Sequence, residues 1–432
     1  MLDVKIEGAT VVDGTGTAGG RTDVGIGGDA IVALGDLSRE PAGRTLNASN
    51  KVVTPGFIDV HSHSDWTLWA NRRAESKIRQ GVTTEVVGNC GCSPAPVAIE
   101  HLDELRGFAP GRARSLDFRW RSMKEYLSAF DAQGTALNVL QLVGHGTLRI
   151  AAMGLAARDP TAQELRRMQD LLTAAMEAGA WGLSTRRVSP PGAYAATEEI
   201  VALARVAARH RGFYASHVGG EGETRLDALT EAIGVGREAR LALQLSHLEA
   251  VGRGTWGSVP RALALVDAAV AEGIDVMADV SPYSDAALSP MSERDLRQAL
   301  VHPRVMIGSD GSALAPYGEL AAGAPHPQSY GTFPRVLGLY AREERLLSLP
   351  QAVHKMTGLP ARRLGLRDRG VIRVGAKADL VVLDPRTVAD AASDEDPQRY
   401  PRGIEHVLVN GRFVIRHGEH TGSLPGTLVQ NL

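Results

Sequence analysis

Hydrophobic and polar positions repeat along this chain with two different periods. Short apolar runs recur from residue 52 onward, and the stretches between them repeat apolar positions at helical spacing, as in "ATEEIVALARVAARH". The runs cover residues 52–60, 82–88, 138–143, 180–184, 213–216, 242–246, 274–280 and 305–308. Apolar runs that alternate with amphipathic helices are typical of parallel βα units. These eight units predict an α/β fold built on a (β/α)8 TIM-like barrel.

The two ends of the chain have a strand-like pattern instead. The first 50 residues contain "VKIEGATVV" and "AIVAL", and the C-terminal part contains "KADLVVLD" and "IEHVLVNGRFVIRHGEH". The last of these segments predicts a hairpin that turns on Asn410-Gly411. We therefore expect a small β-sandwich domain built from both termini, residues 1–54 plus 368–432, beside a barrel of residues 55–367.

The composition and charge of the chain limit the classes of molecule that it is expected to bind. The chain has 432 residues, 44% of them hydrophobic, and a formal net charge of −2, so no overall field attracts nucleic acid or anionic lipid. We find no uncharged apolar run of the length that spans a membrane, and the N-terminus reads as a strand rather than a signal peptide. These features predict a cytoplasmic protein with no nucleic-acid or membrane partner. They do not determine the oligomeric state, for which we expect a monomer or a small homo-oligomer.

The residues that follow the apolar runs are candidates for chemistry, because a parallel barrel has its active site at the carboxyl ends of its strands. His61 and His63 follow the first run in "DVHSHSD". Possible metal ligands at other strand ends are Cys90, His145, His217, His247 and Asp310. A single histidine there is usually a core or surface residue, but this many imidazole, thiolate and carboxylate groups at one mouth predict a zinc site.

Both cysteines of the chain, Cys90 and Cys92, lie in "VVGNCGCSPAPV". One intervening residue is too few for an unstrained disulfide between them, so both are interpreted as thiols.

Several segments in a consistent order carry a family resemblance from residue 1 to 432. They include "VVTPGFIDVHSHSD", "GVTTEVVGNCGCSPAP", "GFYASHVGGEGE", "LQLSHLEAVG", "MIGSDG" and "KMTGLPARRLGLRDRGVIRVGAKADLVVLDP". In these segments the chain resembles the N-acyl-D-amino-acid deacylases, the D-aminoacylase branch of the amidohydrolase superfamily. The resemblance implies a zinc-dependent hydrolase that cleaves the C–N bond of a small-molecule linear amide, with one tightly held zinc and a possible second, weaker one.

The resemblance also implies the ligand set. His61, His63 and Asp310 would hold one metal position, and Cys90, His217 and His247 would hold the other. Many other binuclear amidohydrolases bridge their metals with a carbamylated lysine after strand 4, but none of the lysines here falls there. The thiolate of Cys90 is then the candidate bridge, and Cys92 is expected to be a packing residue.

Asp310 is the expected catalytic group. As a general base it would take a proton from the attacking water, and as an acid it would return the proton to the leaving nitrogen. The alternative is a structural helix cap.

The substrate-contacting positions depart from the family pattern. In D-aminoacylases two cations that read the substrate carboxylate stand where this chain has Glu249 and Gln328, while Tyr283 follows strand 7 as in the family. A carboxylate docked 4 Å from Glu249 would meet a repulsion of about 4 kcal/mol at an effective dielectric near 20. Arg186 and Arg187, in "STRRVS", could replace the lost cations as a paired anion clamp, or lie at the surface.

Three functions remain open at this point. The first is a zinc-dependent amidase for an N-acyl amino acid-like or related amide. The second is a true N-acyl-D-amino-acid deacylase that reads the carboxylate through Arg186, Arg187 or Tyr283. The third is a family member diverted to non-hydrolytic chemistry.

Overall fold

The computed structural model describes residues 1–109, 116–219, 223–250, 252–283 and 290–431. The strands are β1 (Leu2–Glu7), β2 (Thr10–Val11), β3 (Gly20–Arg21), β4 (Asp23–Gly27), β5 (Ala30–Gly35), β6 (Ala42–Asn47), β7 (Val52–Pro55), β8 (Phe57–Asp59), β9 (Val82–Val87), β10 (Asn138–Gln141), β11 (Val143–Gly144), β12 (Gly182–Arg186), β13 (Phe213–His217), β14 (Ala242–Ser246), β15 (Val276–Val280), β16 (Val305–Ile307), β17 (Leu380–Leu383), β18 (Ile404–Val409), β19 (Arg412–Arg416) and β20 (Glu419–His420). The helices are α1 (Glu75–Ile78), α2 (Leu102–Phe108), α3 (Met123–Gln133), α4 (His145–Met153), α5 (Ala162–Glu177), α6 (Thr197–Arg209), α7 (Glu223–Ala239), α8 (Val259–Ala271), α9 (Glu293–Val301), α10 (Gln328–Arg335), α11 (Leu349–Met356) and α12 (Gly358–Arg363).

Strands β8 to β16 form the barrel, and β10 and β11 together occupy its third place. Every neighbouring pair is parallel, in the orders β8-β9-β10 and β11 to β16. A parallel bridge between Ser62 and Gly311 joins the first strand to the last. Each of the eight apolar runs overlaps a barrel strand, which confirms the predicted barrel.

The first apolar run, 52–60, differs from the prediction because it holds two strands. β7 belongs to the sheet of the small domain and β8 to the barrel, and Gly56 separates them. A side chain at Gly56 would overlap Thr83, since its Cβ would lie 2.1 Å from the Thr83 hydroxyl oxygen. The close approach explains why the chain changes domain at a glycine.

Two sheets from both ends of the chain form the small β domain. One has the order β5-β4-β1-β6, and the other has the order β20-β19-β18-β17-β7-β2-β3. Their buried core includes Ile6, Ile26, Val53 and Leu380. The predicted hairpin is present between β18 and β19, where Asn410 and Gly411 have φ of 46° and 75°, as a type I′ turn requires.

The last residues of the chain leave the β domain and run along the barrel. Val139 of β10 and Leu428 form a parallel bridge, and the indole of Trp181 donates to the carbonyl of Val429. Inside the barrel, apolar side chains such as Leu140 and Phe213 form a core that contacts α12. In the part of the chain that the structure describes, no helix has the length and apolar content needed to cross a bilayer.

A fully buried charge network ties the first, second and last barrel strands together. Lys77 Nζ lies 2.7 Å from Asp59 Oδ2 and 3.2 Å from Glu85 Oε1, and all three side chains are 0% exposed. Lys77 also donates to the hydroxyl of Ser309. Asp59 Oδ1 in turn accepts the backbone N–H groups of His61 and Ser309 at 3.2 and 3.0 Å. The network therefore fixes the two chain segments that carry His61 and Asp310.

Replacing Lys77 by Met should destabilise the protein by about 3–5 kcal/mol, because two carboxylates would lose their buried counter-charge. Urea unfolding followed by circular dichroism measures the loss. Lys124→Met is the matched control, since Lys124 lies exposed on α3. Equal urea midpoints for the two variants would contradict the role given to the network.

Candidate metal centre

Cys90 lies at the centre of a cluster of imidazoles at the carboxyl ends of the barrel strands. Its Sγ atom is 3.2 Å from His61 Nε2 and 3.3 Å from His217 Nδ1. His247 Nε2 lies 3.7 Å from the same sulfur. These four residues follow or end β8, β9, β13 and β14, so the barrel brings together side chains far apart in the sequence.

Asp310 closes the other side of the cluster. Its Oδ1 atom is 3.1 Å from His63 Nε2 and 3.3 Å from His61 Nε2. His247 Nε2 is 3.8 Å from the same oxygen. The structure thus brings together all six side chains that the sequence predicts as ligands, and His61 and His247 contact both Cys90 and Asp310.

The donor set fits a zinc ion. Donor atoms of His61, Cys90, His247 and Asp310 all lie within 4.8 Å of one another. Tetrahedral zinc with bonds of about 2.0–2.3 Å separates its ligand atoms by roughly 3.3–3.8 Å, close to the spacings above. Imidazole nitrogen, thiolate sulfur and carboxylate oxygen are also the ligand types that zinc prefers.

Electrostatics in the cluster favour a bound cation. Burial raises the pKa of the Cys90 thiol, but the charges of His61 and His217 outweigh it and hold the pKa well below its usual value. Burial likewise lowers the pKa of His63, yet hydrogen bonds to Asp310 and Cys90 raise it to about 9. The thiolate of Cys90 and the carboxylate of Asp310 thus attract positive charge to the centre, and a divalent cation can supply that charge in place of the imidazole protons.

Buried carboxylates orient two of the imidazoles. His61 Nδ1 lies 3.1 Å from Asp279 Oδ1, and His247 Nδ1 lies 3.1 Å from Glu249 Oε1. Each carboxylate accepts an N–H group at Nδ1 and leaves Nε2 facing the cluster. The sequence reading missed Asp279, although a lone acidic residue inside the apolar run "VMADV" is a usable signal, since a buried carboxylate needs a partner.

Three residues of the cluster have an unusual backbone. Cys90, His247 and Asp310 have φ of 53°, 66° and 51°, in the left-handed region that non-glycine residues seldom adopt. Such conformations cost about 1–3 kcal/mol each and persist where the surroundings enforce them. The barrel loops are therefore strained at the points where the donor atoms converge.

His145 does not join the cluster, although it also stands at a strand end. It begins α4, and its Nε2 lies 2.7 Å from Glu199 Oε1. Arg149 pairs with the other oxygen of the same carboxylate at 2.5 Å. The expectation that His145 faces the barrel mouth is wrong, because this ion pair holds it between α4 and α6.

The two arginines after β12 do not form a paired clamp. Arg187 pairs with Glu231, and it also donates to the hydroxyl of Thr197 at 3.3 Å and to the carbonyl of Ala195. Arg186 ends β12 with an exposed side chain. Burial is the main cause that lowers the pKa of His217, and the charge of Arg186 adds a smaller effect in the same direction, so Arg186 lies within electrostatic range of the cluster. Arg187 is thus engaged within the protein, and Arg186 is the arginine available near the site.

Two of the other predicted substrate contacts, Glu249 and Gln328, contact residues of the cluster, and Tyr283 contacts Asp390 instead. Glu249 is 5% exposed, and its Oε2 has no hydrogen-bond partner among the described residues. Gln328 donates to the backbone oxygen of Asp310 at 2.7 Å and lies 3.5 Å from its Oδ2. Tyr283 donates to Asp390 at 2.5 Å, so its hydroxyl is bound to a protein partner.

Comparison with known proteins places the chain in a family. The sequence pattern of the amidohydrolase family matches residues 44–300 and 295–415. The chain is 39% identical to N-acyl-D-glutamate deacylase of Alcaligenes xylosoxydans xylosoxydans, over 95% of this chain and 93% of that protein. A likeness of this extent covers both domains.

Solved structures agree with the sequence comparison. A D-aminoacylase with a binuclear metal centre superposes with a TM-score of 0.90 at 37% identity, over 100% of both chains. N-acyl-D-glutamate deacylase from Bordetella bronchiseptica, in complex with zinc and a phosphonate mimic of the tetrahedral intermediate, gives a TM-score of 0.90 at 36% identity, over 99% of both chains.

These likenesses confirm the resemblance read from the motifs. The barrel, the small β domain and the convergence of metal-binding side chains are what that resemblance implies. The chain belongs to the N-acyl-D-amino-acid deacylase (D-aminoacylase) family of the amidohydrolase superfamily, and it is a metal-dependent hydrolase of carbon–nitrogen bonds other than peptide bonds.

Proposed function

We propose that the chain is a zinc-dependent amidase for N-acyl amino acid-like amides whose carboxylate is absent or neutralised. The observation that carries the proposal is the buried carboxylate of Glu249, which contacts the histidine His247 of the cluster. A substrate anion placed nearby would be repelled, whereas an amide N–H group or an ammonium group would be attracted.

The metal would be held by the six clustered side chains in two positions that share Cys90. One position comprises His61, His63, Asp310 and the shared thiolate, and the other comprises the shared thiolate, His217 and His247. Zinc bound there lowers the pKa of a coordinated water to about 7 and polarises the amide carbonyl. We propose that the position of Cys90, His217 and His247 holds one zinc tightly and that the other position holds a second zinc more weakly.

Asp310 would transfer the proton from the attacking water to the leaving nitrogen. Its pKa is held below the usual value, since His247 and His63 together outweigh the effect of burial. The side chain is 30% exposed, so it can reach the attacking water as well as the cluster. Asp310 would take the proton of that water and return it to the leaving nitrogen, while Gln328 holds the loop at the carbonyl of Asp310.

A second candidate is deacylation of an N-acyl-D-amino acid with a free carboxylate. The position of Arg186 favours it, because this exposed guanidinium lies within electrostatic range of His217. The 39% identity to an N-acyl-D-glutamate deacylase also supports this candidate. It requires that one arginine outweigh the charge of Glu249.

We also propose that the protein acts in the cytoplasm on a small free substrate, as a monomer or small homo-oligomer. Both cysteines are free thiols, which is typical of a reducing compartment. The net charge of −2 favours neither nucleic acid nor an anionic membrane as a partner.

The ligand set predicts the metal content of the purified protein. The wild type should contain about one to two zinc ions, and Cys90→Ala should lose at least the tightly held one, because the thiolate is shared by both positions. Elemental analysis measures the content. Cys92→Ala is the matched control, since Cys92 is buried in the hydrophobic core. Wild-type zinc content in Cys90→Ala would remove Cys90 from the ligand set.

Asp310→Asn should lower kcat by roughly 10²-fold or more with the fold unchanged, because the proton acceptor is lost. Asparagine suits the test since it tolerates the positive φ at this position. Kinetics are measured at saturating zinc, with Asp103→Asn as the control because that carboxylate is 94% exposed on α2. Activity within tenfold of the wild type would mean that another group is the base.

The charge of Glu249 predicts the substrate preference. The wild type should cleave N-acetyl-D-leucinamide with a higher kcat/KM than N-acetyl-D-leucine, and Glu249→Lys should shift the preference toward the free acid. Glu249→Gln removes the charge but keeps a partner for His247, so it separates repulsion from loss of the hydrogen bond. A tenfold wild-type preference for the free acid, about 1.4 kcal/mol, would favour the second candidate and direct attention to Arg186.

A further inference from the structure

We infer that Arg225 is a positioning residue that fixes the backbone of the loop carrying His247, and thereby sets the affinity of the metal position to which His247 belongs. The inference rests on the ligand set proposed above. It concerns a residue that lies 22 positions before His247 in the sequence and does not contact the donor atoms.

Arg225 donates hydrogen bonds to three consecutive backbone carbonyl groups. It lies on α7, is 2% exposed, and its Nη2 donates to the backbone oxygens of His247, Leu248 and Glu249 at 3.3, 2.7 and 3.2 Å. Its Nη1 donates to the hydroxyl of Ser258 at 3.0 Å. The guanidinium thus connects the loop after β14 to the residue that precedes α8.

The loop after β14 needs the hydrogen bonds of Arg225 because its backbone is strained. His247 has a φ of 66°, which turns the chain sharply at the end of β14. Three backbone carbonyl oxygens that converge repel one another, because each carries a partial negative charge. A buried guanidinium offsets this repulsion, since its N–H donors have a fixed planar geometry and a positive charge. Without Arg225, these buried oxygens would lose a charged donor, and the carbonyl side of the turn would lose its side-chain restraint.

His247 is held from two other directions. Its backbone N–H donates to Asp279 Oδ1 at 3.3 Å, and its Nδ1 lies 3.1 Å from Glu249 Oε1. These contacts fix the amide and the ring, whereas Arg225 fixes the carbonyl side of the same residue. Together they determine where Nε2 points.

Arg225 is not a substitute for the carboxylate-reading cations that the family resemblance implies. Its two terminal nitrogens are already bound to the loop carbonyls and to Ser258. The charges of Glu249 and Asp295 also face it and oppose the lowering of its pKa by burial. The guanidinium of Arg225 is therefore bound within the protein, and we expect Arg225 to affect catalysis by positioning His247.

The test is a zinc competition titration of the full-length apoprotein against a chromophoric chelator. Arg225→Met should weaken the tight zinc site by about tenfold or more, the usual scale for loss of a group that orients a ligand. Arg225→Lys should lose less affinity, because an ammonium can keep one or two of the carbonyl contacts. Excess zinc should restore most of the kcat of Arg225→Met with little change in KM.

The matched control is Arg237→Met. Arg237 lies on the same helix, and within the described part of the chain its side chain makes an exposed pair with Glu272 alone, so this variant should bind zinc within twofold of the wild type. Wild-type zinc affinity in Arg225→Met together with a lowered Tm would overturn the inference and leave Arg225 a structural tie between α7 and α8. A wild type that binds no zinc would instead overturn the ligand set itself.

A second variant keeps the inference testable if Arg225→Met does not fold. Ser258→Ala removes only the anchor of Nη1 and leaves the carbonyl contacts in place. Its zinc affinity should fall by a smaller factor, about two- to fivefold, because the guanidinium becomes less well oriented. Unchanged zinc affinity in Ser258→Ala would count against the positioning role of Arg225.

Discussion

The left-handed backbone at Cys90, His247 and Asp310 is the constraint on which the rest of the site depends. Donor atoms from separate strands can meet within hydrogen-bonding distance only if each loop turns back over the barrel mouth immediately after its strand. Such turns are unfavourable for side chains with a Cβ atom, so the surrounding protein must stabilise them. Buried polar contacts that the catalytic chemistry does not use are explained by this requirement.

Two of the three strained loops, those of Asp310 and His247, have a buried carboxylate as support. Asp59, held by Lys77, accepts the backbone N–H groups that lead into the segments of His61 and Asp310. Asp279 joins the ring of His61 to the backbone of His247. Because these carboxylates are buried, removing one partner leaves a charge or an amide group unsatisfied. The supports are therefore a condition of the site and of the fold at the same time.

The sequence predicted the regular parts of this structure well, because they follow from local patterns. The period of the apolar runs located the barrel strands, and Asn410-Gly411 located a hairpin, since both signals depend on neighbouring residues. Strand-end position also located the side chains that cluster at the barrel mouth, but it could not separate them from His145, which occupies an equivalent place and pairs with Glu199 instead. That difference depends on a helix more than fifty residues away, so no local pattern reveals it.

Supporting residues were harder to predict for the same reason. Arg225 looks like any arginine of an amphipathic helix until the fold shows that its guanidinium reaches the loop of His247. Arg187 stands beside Arg186 in the sequence, yet its engagement with Glu231 depends on how α7 packs. Long polar side chains can reach several partners, and only the tertiary structure selects one.

Under the proposed function, Glu249 links substrate preference to the orientation of His247. One of its oxygens contacts His247, and the other has no partner in the described part of the chain, so a single carboxylate both orients a ligand and carries a charge beside it. A cation at this position could attract a substrate anion, but it could not accept the N–H group of His247 Nδ1. The ring would then depend on Asp279 and Arg225, which fix only the backbone of His247. A cation at position 249 would therefore change substrate preference only together with the orientation of the His247 ring, and the firm hold on the backbone of His247 is what would make such a change tolerable.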